Sequence, residues 1–251
     1  MALCAVPSGC ALPGGPPAAA TPQRPGLSSD ANTTAPGTFE LELGFGYDSD
    51  DANAAPLTLK YGAGAATEVF ASFAPYARAP RPGTDGRGLS DLLLGTRHRF
   101  WTSDAGDRMA AWQATVLAPT GESSAGLSGD EWDFAGAAML TGSEDGWWWN
   151  GFYQLGQLGD PDGGGFDTQH ALALVAGLPV ADGVDVFTEL AGVWTPARGH
   201  DPTVNTWAVT WREQPWRVWD AGFALGLDDD APDRAVFVGL TVNLGGNRKT
   251  R

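Results

Sequence analysis

The sequence has little of three things that define common protein classes: cysteine, long apolar runs and positive charge. Its two cysteines, Cys4 and Cys10, both precede residue 11, so neither disulfides nor thiolate-bound metals hold the rest of the chain. No uncharged apolar run approaches the ~18 residues of a membrane-spanning helix. With 15 Lys and Arg against 30 Asp and Glu, the net charge of -15 repels nucleic-acid phosphates. We therefore expect neither a helical membrane protein nor a nucleic-acid partner, whereas a membrane barrel stays open.

What is abundant is glycine, proline and tryptophan, with 35, 18 and 11 residues respectively. Hydrophobic residues make up 43% of the chain and charged residues 18%. This balance supplies enough apolar side chains for a folded protein and too little polarity for a disordered one.

The two ends of the chain differ from its body. Residues 1–20 are rich in Ala, Pro and Gly, and Ala18, Ala19 and Ala20 suit a signal cleavage site. Because no Lys or Arg lies near Met1, we interpret 1–20 as a truncated signal or a plain leader. Residues 21–37 show no period and predict an extended lead-in, and residues 245–251 form a polar tail.

From residue 38 the dominant period is two. Phe39, Leu41 and Leu43 alternate with Glu40 and Glu42, which is the pattern of a strand with one apolar face. The pattern recurs, and we predict twelve strands within a domain spanning 38–244, near 38–47, 55–62, 66–74, 89–101, 108–118, 131–141, 146–158, 166–180, 184–195, 203–212, 216–227 and 234–244.

The connections between these strands tend to alternate between short and long. Ala181–Gly183 and Glu213–Pro215 are tight, whereas 75–88 is long. Bacterial outer-membrane barrels have short turns at one rim and long loops at the other. The sequence therefore predicts an all-β fold, a transmembrane antiparallel up-and-down barrel of about twelve strands. A soluble β-sandwich is the alternative.

The apolar face of the strands carries almost no charge. Strands of ~9–11 tilted residues cross a bilayer, and aromatic residues collect at its two interfaces. Many tryptophans fall near strand ends, and we predict that an aromatic girdle contains Trp101, Trp132, Trp147, Trp194 and Trp219.

The opposite face carries charges of both signs. In a closed barrel these residues face the lumen, because an ionised group on the lipid side costs a few kcal/mol. The predicted lumen-lining residues are Glu40, Glu42, Glu68, Asp91, Arg97, Arg99, Glu131, Asp133, Glu189, Arg212 and Asp220. They form either a structural network of ion pairs or, in addition, the lining of a solute path.

Several segments together resemble one bacterial family. Arg24-Pro25-Gly26-Leu27-Ser28-Ser29, followed by Thr34 to Gly44, is similar to the opening of outer-membrane proteins known as transporters or as the family of the MetA pathway of phenol degradation. Further matches follow in order at 59–62, 89–95, 117–121, 156–160 and 187–190, so the resemblance extends over nearly the whole chain past residue 24.

The resemblance implies an outer-membrane barrel associated by name with the uptake of aromatic or other hydrophobic compounds. One feature departs from the pattern, because such barrels usually end on an aromatic residue, whereas here Leu244 is followed by a polar tail.

Catalytic and metal-binding patterns are sparse. His98, His170 and His200 share no short motif with other ligands, so we predict no metal, no cofactor and no catalytic residue. An outward histidine would need a neighbouring outward serine for acyl hydrolysis, and none is found. The loop 160–167 has oxygen ligands without the register of a calcium loop, and a turn is the preferred interpretation.

We therefore predict a Gram-negative outer-membrane protein that passes small hydrophobic or aromatic compounds by passive diffusion. Its expected partners are outer-membrane lipid and lipopolysaccharide, the barrel-assembly machinery and the solute. The acidic loops, 48–51, 122–130, 160–167 and 228–233, either aid solubility or bind divalent cations that bridge lipopolysaccharide phosphates. Two alternatives stay open: a non-transporting structural or surface barrel, and a soluble ligand-binding β protein.

Overall fold

The computed structural model describes residues 17–80, 86–160, 163–199 and 201–246. Nearly all of its regular structure is strand, and the elements are β1 (Thr38–Asp48), β2 (Asn53–Ala54), β3 (Leu57–Gly64), β4 (Thr67–Phe73), β5 (Ala77–Arg78), β6 (Arg87–Gly88), β7 (Leu92–Thr102), β8 (Arg108–Ala118), β9 (Asp133–Glu144), β10 (Trp147–Gly159), β11 (Phe166–Ala181), β12 (Val184–Trp194), β13 (Thr203–Gln214), β14 (Arg217–Gly226) and β15 (Arg234–Gly246), with one 3-10 turn at Ser123–Ala125. No helix in these ranges is long and apolar enough to span a membrane.

Twelve long strands pair with their sequence neighbours in one antiparallel sheet, and β15 pairs with β1 to close it. The seam between β1 and β15 is long, extending from Thr38 opposite Gly246 to Asp48 opposite Ala235. Closure leaves the long strands without a free edge. The predicted barrel of twelve strands is confirmed, and the three additional strands, β2, β5 and β6, have two residues each and extend from β1 at one rim.

The two rims of the barrel differ in the length of their connections. At one rim, short turns join β3 to β4, β7 to β8, β9 to β10, β11 to β12, and β13 to β14. Long loops emerge at the other rim, including 74–91 and 119–132. We call these the short-turn rim and the long-loop rim. Thr38 and Gly246 lie at the short-turn rim, which is the arrangement of an outer-membrane type of barrel.

The outer surface of the barrel is apolar. Leu172, Leu174, Leu178 and Val180 lie on the outward face of β11 and are each 44–57% exposed. Between them, Ala171, Ala173 and Val175 point inward and are buried. The other strands repeat this alternation, so the predicted apolar face lies on the outside of the barrel instead of forming a soluble core.

Small side chains line part of the inner wall. Ala111, Ala137, Ala173 and Ala191 form a buried cluster with Met139 and Phe152. Ala31, which precedes the first strand, is fully buried in the same cluster. The short inward side chains leave a space that the chain itself fills from its N-terminal side.

Two of the predicted lumen-lining residues, Asp91 and Glu131, lie in loops, because β7 and β9 begin later than the sequence predicted. Glu131 precedes β9 and is exposed, since Asp130 adopts a positive φ of 59° and turns the chain before the strand starts at Asp133. Asp91 precedes β7 and accepts the backbone N–H of Gly121 at 2.7 Å, so it fastens a loop at the long-loop rim.

Three parts of the sequence analysis lie outside the described residues. They are the leader predicted for residues 1–16, the polar tail predicted for 247–251, and His200.

Candidate functional site: a plugged lumen

The segment from residue 17 to residue 37 lies inside the barrel. It is extended, as its composition predicts, and it meets the wall at widely separated strands. Ala18 N–H donates to Asn243 Oδ1 on β15, and Pro36 forms an isolated parallel bridge with Gly62 on β3. We call residues 17–37 the plug. Acidic side chains of the wall hold it by accepting hydrogen bonds from its backbone.

The first anchor of the plug combines two carboxylates and one lysine. Glu40 accepts the N–H of Thr21 at 2.9 Å, and Glu42 accepts the N–H of Gln23 at 2.9 Å. Lys60 Nζ lies 2.5 Å from Glu40 and 2.6 Å from Glu42, and it donates to Thr21 O at 2.6 Å. All three charged side chains are at most 3% exposed. This cluster therefore depends on each of its members for charge balance.

The second anchor centres on Glu68. Its Oε2 accepts both the N–H and the hydroxyl of Thr34, at 2.7 and 2.9 Å. Its Oε1 accepts from Arg97 Nη1 at 2.8 Å, while Arg97 Nη2 donates to Gln113 at 2.6 Å and Nη1 also reaches Asn32 O at 3.3 Å. Arg97 thus links the plug to both β4 and β8.

The third anchor, Glu189, has no cationic partner among the described residues. Its carboxylate accepts the N–H of Leu27 at 2.7 Å and the N–H and hydroxyl of Ser28 at 3.0 and 2.5 Å. A Cβ atom at Gly26 would overlap this carboxylate, so a larger residue there would push the Glu189 side chain away from Leu27 and Ser28. The Arg24-Pro25-Gly26-Leu27-Ser28 segment is therefore shaped to enclose Glu189.

Neutral side chains complete the attachment on β9 and β10. Asn150 Nδ2 donates to Ser29 O at 3.0 Å, and Ala31 N–H donates to Thr141 Oγ1 at 2.9 Å. Thr141 in turn donates to Asn150 Oδ1 at 2.9 Å. These bonds satisfy polar backbone groups of the plug that would otherwise be buried without partners.

The plug leaves a cavity on each of its sides. A cavity of about 480 Å³ lies towards the long-loop rim, and Leu27 and Ser29 of the plug line it. A second cavity, of about 380 Å³, lies towards the short-turn rim and is lined by Ser28, Asp30 and Asn32. Successive plug residues thus face opposite halves of the lumen. A third cavity, of about 410 Å³, lies beneath β2 and β5.

The predicted lumen-lining residues fall into three groups. Glu40, Glu42, Glu68, Arg97, Glu189 and Asp220 are buried inside the barrel. Asp133 lines the first cavity and accepts the N–H of Gly159, and Arg212 lines the second and donates to Ala20 O. Arg99 lies near the short-turn rim and donates to Ala65 O, whereas Asp91 and Glu131 occupy the loop positions described above. A role of this set in a solute path stays a prediction.

Sequence reasoning missed five charged residues that line the two lumen cavities: Arg24, Asp30, Lys60, Asp107 and Asp185. Lys60 lies between the outward residues Leu59 and Tyr61, so the period of two contained the signal for its inward position. Arg24 lies in the plug, whose sequence has no period, and only long-range contacts place it.

The five tryptophans of the predicted girdle lie near the rims. Trp101, Trp147 and Trp219 are at the short-turn rim and 38–44% exposed, whereas Trp132 and Trp194 lie towards the long-loop rim. Trp219 Nε1 also donates to Glu213 at 3.0 Å. Their positions fall at both rims, and their membership of an aromatic girdle stays a prediction.

The two described histidines, His98 and His170, lie on the outward face. Thr67 Oγ1 contacts His98 Nδ1 at 2.8 Å, and Tyr153 Oη contacts His170 Nδ1 at 2.8 Å. His170 also stacks on Trp194 at a centroid distance of 5.2 Å. Within the described ranges, no group of three or more His, Cys, Asp and Glu side chains is arranged to hold a metal ion.

Solved structures share the fold of this chain, although no protein-family model and no curated protein matches its sequence. The COG4313 outer membrane channel from Pseudomonas putida F1 has a TM-score of 0.68 at 12% identity, over 86% of this chain and 98% of that one. The NanC porin has a TM-score of 0.59 at 8% identity, over 80% and 98% of the two chains. The KdgM porin has a TM-score of 0.58 at 7% identity, over 81% and 98%. The chain therefore has the fold of bacterial outer-membrane channel and porin barrels.

Proposed function

We propose that this protein is an outer-membrane channel through which small solutes diffuse passively. The observation that carries the proposal is a barrel with an apolar exterior and a cavity on each side of a single internal segment. A purely structural barrel has no need of a cavity on each side of such a segment. The shared fold with channel and porin barrels supports the same function.

The lining of the larger cavity favours small, partly apolar solutes, including the aromatic compounds associated with the resembling family. Leu93, Leu117, Phe152 and Leu158 contribute apolar surface. Thr115, Gln154 and Gln169 add uncharged hydrogen-bonding groups, and most of the charged lining residues are paired with each other, Lys60 with Glu42 and Arg97 with Glu68. Cavities of this size and mixed lining are typical of small-molecule sites.

The proposed location determines the partners. Barrels of this kind meet lipid along their sides and lipopolysaccharide at the long-loop rim, and they reach the membrane through the barrel-assembly machinery. At that rim the loops 48–51 and 228–233 lie together, since Ser49 N–H donates to Arg234 O at 2.8 Å. Their carboxylates would attract divalent cations that bridge lipopolysaccharide phosphates.

Solute flux through refolded protein tests the proposed function. We expect vesicles containing the barrel to admit a small uncharged aromatic solute that crosses lipid slowly, such as 4-nitrophenyl glucoside, faster than protein-free vesicles, because the two cavities would supply most of a polar route past the plug. The initial rate of solute entry, corrected for passive permeation, is the measurement. Equal rates with and without protein would overturn the channel proposal and leave the barrel fold standing.

A charge placed on the outer face tests the membrane location. Leu174 lies near the middle of β11 on the outward face, and Leu174→Arg should lower the free energy of unfolding from vesicles by about 2–4 kcal/mol. Val180→Arg, close to the end of the same strand, should cost only about 0–1 kcal/mol. Urea unfolding in vesicles measures both. Equal, small effects at the two positions would mean that lipid does not surround this face.

A non-transporting surface barrel is the second candidate, and the plug is the observation that favours it. With its anchors in place, the plug fills the section of the lumen between the two cavities. Under this alternative, Arg97→Ala and Asp133→Ala should change only stability. Under the channel proposal, they should also change the rate of solute entry.

A further inference from the structure

Arg24 lies in the part of the plug that separates the cavities of the barrel. It lines the cavity towards the long-loop rim, the cavity towards the short-turn rim and the cavity beneath β2 and β5. No other described residue lines all three. Gln23 and Gly26 line the two lumen cavities as well, so a solute that moves between them has to pass the stretch 23–26, in which Arg24 carries the only charge.

The guanidinium of Arg24 is held more loosely than the other buried cations. Nη2 donates to Val238 O at 3.4 Å, and Nε lies 3.6 Å from Asp220 Oδ2, beyond hydrogen-bond distance. Neither Arg24 Nε nor either Asp220 carboxylate oxygen has a hydrogen-bond partner among the described residues. Lys60 and Arg97, by contrast, contact their carboxylates at 2.5–2.8 Å.

Of the pair formed by Arg24 and Asp220, only the arginine lines the cavities. The Arg24 side chain is 16% exposed, whereas that of Asp220 is 1% exposed and lines none of the three cavities. Side chains at Gly44 or Gly239 would overlap Arg24, so these glycines provide the space that it occupies. A solute passing the stretch 23–26 therefore meets the cation first and the carboxylate only behind it.

Apart from Arg24 itself, carboxylates outnumber cations in both lumen cavities, by three to two towards the long-loop rim and by four to one towards the short-turn rim. Four carboxylates and two arginines line the cavity towards the short-turn rim. One of the four is Asp107, whose pKa is lowered by a hydrogen bond from Ser103, so it is ionised at neutral pH. At the long-loop rim, Asp48, Asp50, Asp51, Asp228, Asp229, Asp230 and Asp233 extend the negative field outward.

We infer that Arg24 is the specificity-determining residue of the channel and acts as a charge filter that passes uncharged solutes. The acidic mouths repel anions, and the guanidinium between the two lumen cavities repels the cations that the mouths attract. An arginine at a narrow point excludes cations from pores by the same electrostatic barrier. This inference rests on the proposed function and adds the charge class of the solute.

Charge-selective conductance of the refolded full chain tests the filter. We expect wild type to conduct K⁺ and Cl⁻ poorly while vesicles containing it admit glycerol. Arg24→Gln should raise K⁺ conductance on the order of tenfold and move the reversal potential in a KCl gradient towards that of K⁺. Arg24→Lys should keep the wild-type ion conductance and reversal potential, and in Arg24→Gln any rise in glycerol entry should be much smaller than the rise in K⁺ conductance.

A second variant, Asp220→Asn, removes a charge of the opposite sign and keeps the test valid if Arg24→Gln fails to fold. Asp220→Asn removes the negative charge behind the guanidinium, so it should shift the reversal potential towards that of Cl⁻. If glycerol enters but the reversal potential is unchanged in both variants, the charge filter is overturned and the channel proposal stands. An equal rise in K⁺, Cl⁻ and glycerol permeation in Arg24→Gln would also overturn it, because that result means release of the plug. Absence of glycerol entry in every variant would overturn the channel itself.

Discussion

Gly26→Val is expected to release the plug and raise the ion conductance of the refolded barrel. The valine side chain would occupy the position of the Glu189 carboxylate, which accepts three hydrogen bonds from Leu27 and Ser28. A hydrogen bond to a charged group contributes about 1.5–3 kcal/mol, so losing even one shifts the ratio of released to seated plug by at least about tenfold. Single-channel recording in planar bilayers measures the change as a longer open time.

The barrel offers a matched control for this substitution. Gly136 lies on the outward face of β9, and a Cβ atom there would meet nothing within 4 Å. Gly136→Val should therefore leave the conductance at the wild-type value. If Gly26→Val and Gly136→Val gave the same conductance, the contact between Gly26 and Glu189 would not control the lumen.

Lys60→Met is expected to produce the largest loss of stability. The lysine is 1% exposed and neutralises Glu40 and Glu42, which are themselves buried. Removing one partner of a buried ion pair typically costs about 3–5 kcal/mol because the remaining charge is uncompensated. The free energy of unfolding in urea, followed in vesicles by tryptophan fluorescence, measures this loss.

Two control variants show whether the loss of stability in Lys60→Met comes from the unbalanced charge of Glu40 and Glu42. Changing Glu40 and Glu42 to glutamine in the Lys60→Met background should restore part of the stability, because no unpaired charge is left. Arg198→Met breaks an exposed pair with Asp167 at 2.8 Å and should cost no more than about 1 kcal/mol. A loss for Lys60→Met as small as that for Arg198→Met would contradict the proposed role of the buried cluster.

The barrel could be predicted from the sequence because its strands alternate with a strict period of two. Apolar and polar residues exchange sides at every step, and a closed barrel places one set outside and the other inside. The same rule predicted the inward direction of Glu68 and Glu189. The bulge in β7 between Arg99 and Trp101 explains why Phe100 and Trp101, although adjacent, are both exposed.

The plug could not be predicted, for a physical reason. Its residues have no period, and their partners lie far away along the chain: Ser28 bonds Glu189, 161 residues distant, and Asn150 bonds Ser29, 121 residues distant. Only closure of the barrel brings these residues together. The sequence therefore predicted an extended lead-in and left open whether the lumen is plugged.

The buried carboxylates of the lumen share one role, which is to bind the backbone of the plug. Glu40, Glu42, Glu68 and Glu189 each accept at least one backbone N–H of the plug. A carboxylate on the wall is suited to this task, because an extended segment in a lumen has N–H groups that no neighbouring strand satisfies. Under the proposed function the two interpretations of the lumen charges are compatible, since the structural network that holds the plug would also narrow the path of a solute.

Heat modifiability after fractionation tests the central claim, that this chain forms a membrane barrel, most directly. The chain would be expressed behind a competent signal peptide, and its outer-membrane fraction run on a gel with and without boiling. We expect protein in the outer membrane that migrates anomalously until it is boiled. Soluble protein with the same migration before and after boiling would contradict the account, since the apolar outer face would then have no lipid to cover it.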